Sequence, residues 1–564
     1  MDFDTVISGG TIVDGSGQPA YRGDVGIRDG KIAAVGKVRG AARDTIDAAG
    51  MMVAPGFVDV HTHYDAQLFW DRMLTISPWH GVTSVVMGNC GFTVAPTRRE
   101  HREIIMQTLE KVEGMSIEVL REGLGEDWGF ETFPEYLDAI ERKGTAINVA
   151  ALVGHTAVRL NVMGAEASER AASQVEIAAM RKIVAEALAA GAVGFSTSAS
   201  KTHVGFKGKP VPSRLAEFAE VLELAGAMTE AKRGIFQATI GPGLFLDEFA
   251  EIFRTVGRPV TWTALLSGFM GPGAHREQLE KSQALRGEGL EIVPQVACRP
   301  INFDFTFKEP FLFEAMSMFN PVSAADLEGK KRIYADPEFR ERFRSRLGPG
   351  SRSALVGWTD RAVISHYPPQ PELEERALAD VARERNLDAL DLALDFALET
   401  ELEARFRVPV VNYDEDEVEK LLQAPGTVVA LSDAGAHASQ LCDACYATHL
   451  LGHWVREKGI FSVEEAVHKL TVLPAQLFGI SDRGALREGL AADVVVFDAQ
   501  RVGACELRRV HDLPANADRL VADATGIELV MVNGTPLRRD NRDLLDPEGA
   551  LPGRLLRHGA ANSA

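Results

Sequence analysis

Ala54-Pro55-Gly56-Phe57-Val58-Asp59-Val60-His61-Thr62-His63-Tyr64-Asp65 is an apolar run that ends in two histidines one residue apart. On a strand, residues two apart point the same way, so both imidazoles can reach one ion from the strand's C-terminal end. Two surface histidines at this spacing would mean little. Here they close a strand that reads as buried, with Asp59 and Asp65 beside them, and a metal-ligand pair explains that better.

Outward from this stretch, short apolar runs alternate with helical patterns. Eight runs can be counted: 52–60, 82–88, 146–153, 192–197, 234–240, 259–266, 291–297 and 427–431. Helical periodicity falls at 99–112, 173–190 and 215–231. Strands alternating with helices signal a parallel α/β fold, and eight units suit a distorted (β/α)8 TIM barrel better than an open doubly wound sheet. Such barrels gather their chemistry at the C-terminal ends of the strands. At the end of the eighth run, Val428-Val429-Ala430-Leu431-Ser432-Asp433 finishes in a carboxylate that would be costly to bury without a cation. Strands one and eight become neighbours when a barrel closes, so His61, His63 and Asp433 can meet. Cys90, between Asn89 and Gly91 at the end of the second run, is placed where a thiolate could join them. A small apolar core residue is the commoner fate of a cysteine, but its place among the strand ends favours a ligand.

Both ends of the chain read as β structure. Thr5–Val13, Val25–Ile27 and Ile32–Val35 are joined by the turns Gly9-Gly10, Asp14-Gly15 and Asp29-Gly30, and 492–498 and 528–532 follow the same style. Neither piece alone would bury much core, so a small β-sandwich domain is expected from residues 1–54 and 481–564 together. The barrel then spans 55–480, with an insertion around 298–350 in its last, longest gap. Phe303, Phe305, Phe307, Phe311, Phe313 and Phe319 crowd into that insertion, out of 27 Phe in the chain. They read first as its own core, and second as a lid for an apolar acyl group.

Bulk composition narrows the partners. Sixty Lys+Arg against 80 Asp+Glu leave a net charge of −20, which repels nucleic acid and anionic lipid. Five cysteines do not make a disulfide framework, and Met1-Asp2-Phe3-Asp4 has no basic start of a signal peptide. A cytoplasmic enzyme acting on a small molecule is the expectation, and a homo-oligomer is compatible with it.

Pro55–Asp65, the terminal β pieces, Asp433 and the Arg483-Gly484-x3-Glu488-Gly489-x2-Ala492-Asp493 ending resemble the amidohydrolase superfamily. Within it, Gly88-Asn89-Cys90-Gly91-Phe92-Thr93-Val94-Ala95-Pro96 is similar to the segment of N-acyl-D-amino-acid deacylases that carries a metal-binding cysteine. Leu152–Arg159 and Gly191–Thr197 look like further family segments. The resemblance implies a metal-dependent hydrolase of an amide bond, with Cys90 as a ligand. It also exposes a departure. The family carries histidines at the ends of strands five and six, where this chain has Phe236-Gln237-Ala238-Thr239-Ile240-Gly241 and Val260-Thr261-Trp262-Thr263-Ala264-Leu265. The remaining donors, His61, His63, Cys90 and Asp433, suffice for one four-coordinate zinc, or for three ligands and a water.

The expected chemistry is water activated by one Zn2+, with Asp433 as general base and then general acid. The substrate is expected to resemble an N-acyl amino acid, D-configured through the resemblance alone. His155 and Arg159, after strand three, are candidates for substrate binding, with a structural pair as the other reading. His203 and Lys201 read as loop residues, His437 as a partner of Asp433, and Cys442-x-x-Cys445 as ordinary packing. Hydrolysis of another amide, cyclic amide, ester or dipeptide, or a non-catalytic barrel scaffold, stays open at this point.

Overall fold

Gly56 divides the decisive stretch between two sheets. Met52–Pro55 pairs with Val494–Phe497 and with Phe3–Ile12. Phe57–Asp59, one residue later, pairs in parallel with Val82–Met87. A Cβ on residue 56 would lie 2.1 Å from Thr83 Oγ1, so only glycine lets the chain change sheets here. The computed structural model describes residues 1–561 except 206–207, 315, 349–350, 352 and 438.

Barrel strands one to eight are Phe57–Asp59, Val82–Met87, Asn148–Gly154, Gly194–Ser198, Ile235–Thr239, Val260–Thr263, Ile292–Val296 and Val428–Val429. They lie side by side in that order, all parallel. Each expected run overlaps one of them, two strands reaching one residue past the run's end. Every residue in these strands is buried, as it must be where helices cover one face and the barrel interior the other. Strands one and eight share no ladder. Closure falls to single contacts beyond their ends: His63 N donates to Ala434 O at 2.7 Å, and Ser432 Oγ to His61 O at 3.1 Å. The seam of the barrel is therefore also where the histidine pair meets the Asp433 segment.

Two of the expected helices appear as Arg102–Glu113 and Gln174–Ala190, and the third divides at Gly226 into Phe218–Ala225 and Ala227–Ala231. Ser173 and Glu176 form a reciprocal capping box at the start of the second, satisfying backbone N–H groups that a helix N-terminus leaves open.

The two ends of the chain build one nine-stranded sheet, not separate appendages. Five strands come from residues 3–55 and four from 494–543. The sheet bends until the Asp29-Gly30 turn touches the Asn533-Gly534 turn, where a Cβ on Gly30 would sit 2.9 Å from Asn533 O. Ile7, Val25, Ile27, Val494, Val496 and Met531 share the core it encloses. The Arg483…Asp493 motif docks this sheet onto the barrel. Asp493 is buried, pairs with Arg483, and accepts from Asn148 Nδ2 on strand three at 2.9 Å and from Asn533 N at 2.7 Å.

The insertion between strands seven and eight is longer than expected. Its three-stranded sheet, Ile301–Thr306, Val363–His366 and Arg405–Val411, runs well past residue 350. Four of the six clustered phenylalanines, Phe305, Phe307, Phe313 and Phe319, join Tyr334, Trp358 and Phe406 in a core separate from the barrel's. Phe311 packs against the edge of that core and on Phe303, whose ring lies 6.4 Å from His437. No helix among the described residues is long and apolar enough to cross a membrane.

Candidate metal centre

Backbone geometry aims each side chain. His61 and His63 follow strand one, and both turn Nε2 into the mouth of the barrel. Cys90 and Asp433 are each held in the left-handed region, at φ 57° and 45°. That conformation is costly for residues with a side chain and persists where surrounding structure imposes it. Cys90 N is fixed by Gln237 Oε1 at 2.7 Å, and the turn after strand two rests on Gly88 and Gly91, where a Cβ would strike backbone of strands three and four.

Four donor atoms converge. His61 Nε2 lies 3.4 Å from Cys90 Sγ and 3.3 Å from Asp433 Oδ1, and His63 Nε2 lies 3.8 Å from the same carboxylate oxygen. The ligand atoms of His61, His63 and Cys90 all lie within 4.8 Å of one another. Around a tetrahedral zinc with bonds of about 2.0–2.3 Å, ligand atoms stand roughly 3.3–3.8 Å apart. His61, His63 and Cys90 are close enough to hold one such ion, and Asp433 stands beside the two histidines. Burial pushes the Cys90 thiol up, but the facing His61 and His63 rings outweigh it and bring it to about 7, close to the thiolate a metal needs.

The rear nitrogens of the two rings are also held. His61 Nδ1 lies 2.6 Å from Gln295 Oε1 on strand seven. His63 Nδ1 lies 3.2 Å from Glu113 Oε1, at the end of helix 102–113, in ion-pair reach but off the line of a hydrogen bond. Burial pushes the Glu113 carboxyl up, and the charge of His63 more than reverses this. Burial raises the Asp59 carboxyl to about 7; its Oδ1 accepts from His61 N beneath the site.

Sequence reasoning did not name Gln237, Gln295 or Glu113. The two glutamines carried a signal, since each is a lone amide inside an apolar barrel strand, where an unpaired polar group is costly. Glu113 carried none, for a glutamate before a helix-ending glycine reads as a solvated terminus.

Where relatives were expected to hold histidines, Thr263 Oγ1 donates to Thr239 Oγ1 at 3.2 Å, a bond between strands six and five. His155 and Arg159 are not at the barrel mouth. Both are fully buried with Glu220: His155 Nε2 is 2.9 Å from Glu220 Oε1 and Nδ1 is 2.8 Å from Thr197 Oγ1. Arg159 pairs with the same carboxylate and donates to Arg170 O at 2.9 Å. The geometry is that of the structural pair. His203 is half-buried, bonded to Ser198 Oγ at 2.7 Å and set edge-on against Phe92. The His437 side chain makes no hydrogen bond to Asp433; its backbone N–H donates to Glu113 O, and Nδ1 is buried without a partner among the described residues. Cys442 and Cys445 are buried in the main core, and all five cysteines are free.

Two clefts flank the donors. One of about 340 Å³ is lined by Asp433, Ser432, Tyr64, Gln67, Cys442 and Arg519. The other, about 260 Å³, is lined by His63, Asp65, Phe92, Leu109, Glu113 and Leu120.

Comparison with known proteins agrees with this arrangement. D-aminoacylase of Alcaligenes xylosoxydans xylosoxydans is 31% identical over 99% of this chain and 98% of its own length. A solved D-aminoacylase, described as having a binuclear metal centre with one-metal activation and second-metal attenuation, superposes with a TM-score of 0.65 at 27% identity, covering 98% of this chain and 100% of that one. N-acyl-D-glutamate deacylase of Bordetella bronchiseptica, solved with zinc and a phosphonate mimic of the tetrahedral intermediate, gives a TM-score of 0.63 at 28% identity over 99% and 100%. The profile of the Amidohydrolase family matches residues 44–538, and with barrel, terminal sheet and converging donors all in place, the chain belongs to that family.

Proposed function

We propose that this chain is a cytoplasmic, zinc-dependent hydrolase of the amide bond in N-acyl amino acids of D configuration. One ion would be held by His61, His63, Cys90 and Asp433. The observation that carries the reading is that the ligand atoms of His61, His63 and Cys90 lie within 4.8 Å of one another on the barrel seam, with Asp433 Oδ1 3.3 and 3.8 Å from the two Nε2 atoms. Relatives that act on N-acyl-D-amino acids, at 31% identity along almost the whole chain, support the substrate class. The absence of histidines at the ends of strands five and six, where Thr239 and Thr263 stand, favours a single ion.

When bound, zinc supplies Lewis acidity to the scissile carbonyl and lowers the pKa of a water to about 7. Asp433 is the one acid of the cluster that is partly open to solvent, at 25% side-chain exposure, and it faces the larger cleft. It can accept a proton from the attacking water and hand it to the departing amine without moving, as base and then acid. With the ion bound, His61 and His63 would serve as neutral donors, with Gln295 and Glu113 behind their rings. Elemental analysis of the purified protein, together with turnover of matched N-acyl-D- and N-acyl-L-amino acids, tests the reading. One zinc per chain and preference for the D series are expected. Well under one ion per chain, or no turnover of either series, overturns it.

A further inference from the structure

Glu113 is a buried carboxylate that pairs with no lysine or arginine among the described residues. Its residue is 5% exposed, and its only ion-pair partner is His63. Leaving a carboxylate in such a place is expensive unless a nearby positive charge repays it. His63, whose ring joins the donor cluster, faces the carboxylate directly, and His437 and His203 lie further off.

The same residue grips the site at a second point. Helix 102–113 stops at Gly114, whose φ of 61° turns the chain sharply, and the Glu113 carbonyl then accepts the His437 N–H. Glu113 thus touches the histidine pair with its side chain and the segment after Asp433 with its backbone. The contrast with His61 is informative. That ring is backed by the neutral Gln295, and only His63 has a charged group behind it, on the Nδ1 side.

We propose that Glu113 is a positioning residue of the metal centre, which orients His63 from behind and strengthens it as a donor through the charge of its carboxylate. The inference rests on the zinc reading above. A carboxylate behind a ligating imidazole fixes the ring and raises its basicity, and losing such a partner commonly weakens metal binding 10–100-fold. In a centre without donors from strands five and six, that gain replaces part of what further histidines would supply.

The test uses the full-length chain stripped of metal and titrated with zinc against a competing chelator, for wild type, Glu113→Gln and Glu113→Asp. The Gln variant keeps shape and removes charge, so its zinc affinity should fall about 10–100-fold. The Asp variant keeps the charge but draws it back, and should fall between. The melting temperature of metal-free protein should be no lower in Glu113→Gln than in wild type, since a buried charge has been removed. The thiolate-to-metal charge-transfer band of the cobalt-substituted variant should remain, showing the cluster still assembled. Affinity of Glu113→Gln within twofold of wild type overturns the proposal, as does a loss that is matched by a fall in metal-free melting temperature. Failure of wild type itself to bind zinc overturns the functional reading, and this inference with it.

Discussion

Gln295 sets the tautomer of His61. Its amide Nε2 donates to Thr261 Oγ1 at 3.2 Å, and the Thr261 hydroxyl is spent on Val293 O at 2.9 Å. Oε1 is therefore the end turned to His61 Nδ1, and as a pure acceptor it requires a hydrogen on that nitrogen. Nε2 is left with its lone pair facing Cys90 and Asp433.

Replacing Gln295 by Leu should remove this lock. The Nδ1–H of His61 and the hydroxyl of Thr261 lose a buried partner, at a cost of about 1–3 kcal/mol in stability. Metal affinity should drop roughly tenfold as the ring loses its fixed orientation. Gln295→Glu keeps the acceptor and adds charge behind the ring, so it should bind zinc at least as tightly as wild type does. Chelator competition and urea unfolding read both effects. A Leu variant that binds zinc like wild type would show that His61 needs no such support.

Asp433→Asn separates chemistry from ion binding. The three donors of His61, His63 and Cys90 are untouched, so metal content should stay near one per chain. Asparagine cannot take up a proton, and general-base assistance is worth about 10²–10⁴-fold, so kcat should fall by at least that order. Turnover within tenfold of wild type would remove Asp433 from the proton path.

The barrel was legible because each of its strands is short, wholly buried and apolar, a pattern that helices on the other face make unavoidable. The histidine pair and Asp433 were legible for the same reason, as polar residues placed where such strands end. What hid was whatever a one-dimensional pattern treats as surface. Glu113 closes an ordinary amphipathic helix, and its inward aim depends on how that helix packs. The partner of His155 and Arg159 was hidden in a similar way. They follow strand three, and Glu220, 61 positions beyond Arg159, pairs with both in a buried cluster. The insertion was cut short at 350 because its closing strand, Arg405–Val411, alternates charge with apolar side chains and does not read as buried.

The Glu220 cluster gives a prediction that sets its role apart from substrate binding. Arg159→Met leaves a buried carboxylate facing only His155, and breaking a buried pair in this way costs about 3–5 kcal/mol. Unfolding midpoints should fall accordingly, with zinc stoichiometry and KM of the folded enzyme unchanged. A tenfold rise in KM at unaltered stability would instead return Arg159 to the substrate.

His80 makes stability depend on pH far from the metal centre. The ring is fully buried, with Nδ1 2.7 Å from Thr448 Oγ1 and Nε2 3.0 Å from Ala522 O, and it pins the helix after the barrel to the C-terminal hairpin. Burial holds its pKa down at about 4, helped by the charges of Arg299 and Arg538 against the pull of the Ala522 carbonyl. In the unfolded chain the same ring titrates near 6.5. Between those values the unfolded state binds a proton that the folded state refuses, so the stabilisation is complete above about pH 6.5 and is lost as pH falls towards 4. A difference of roughly 2.5 units amounts to about 3 kcal/mol. His80→Gln keeps a donor for the Ala522 carbonyl and cannot titrate. Its stability should therefore decline less steeply than that of wild type between pH 6.5 and 4.5, as measured by urea midpoints at each pH. Parallel declines in the two proteins would show that His80 is not the group being titrated.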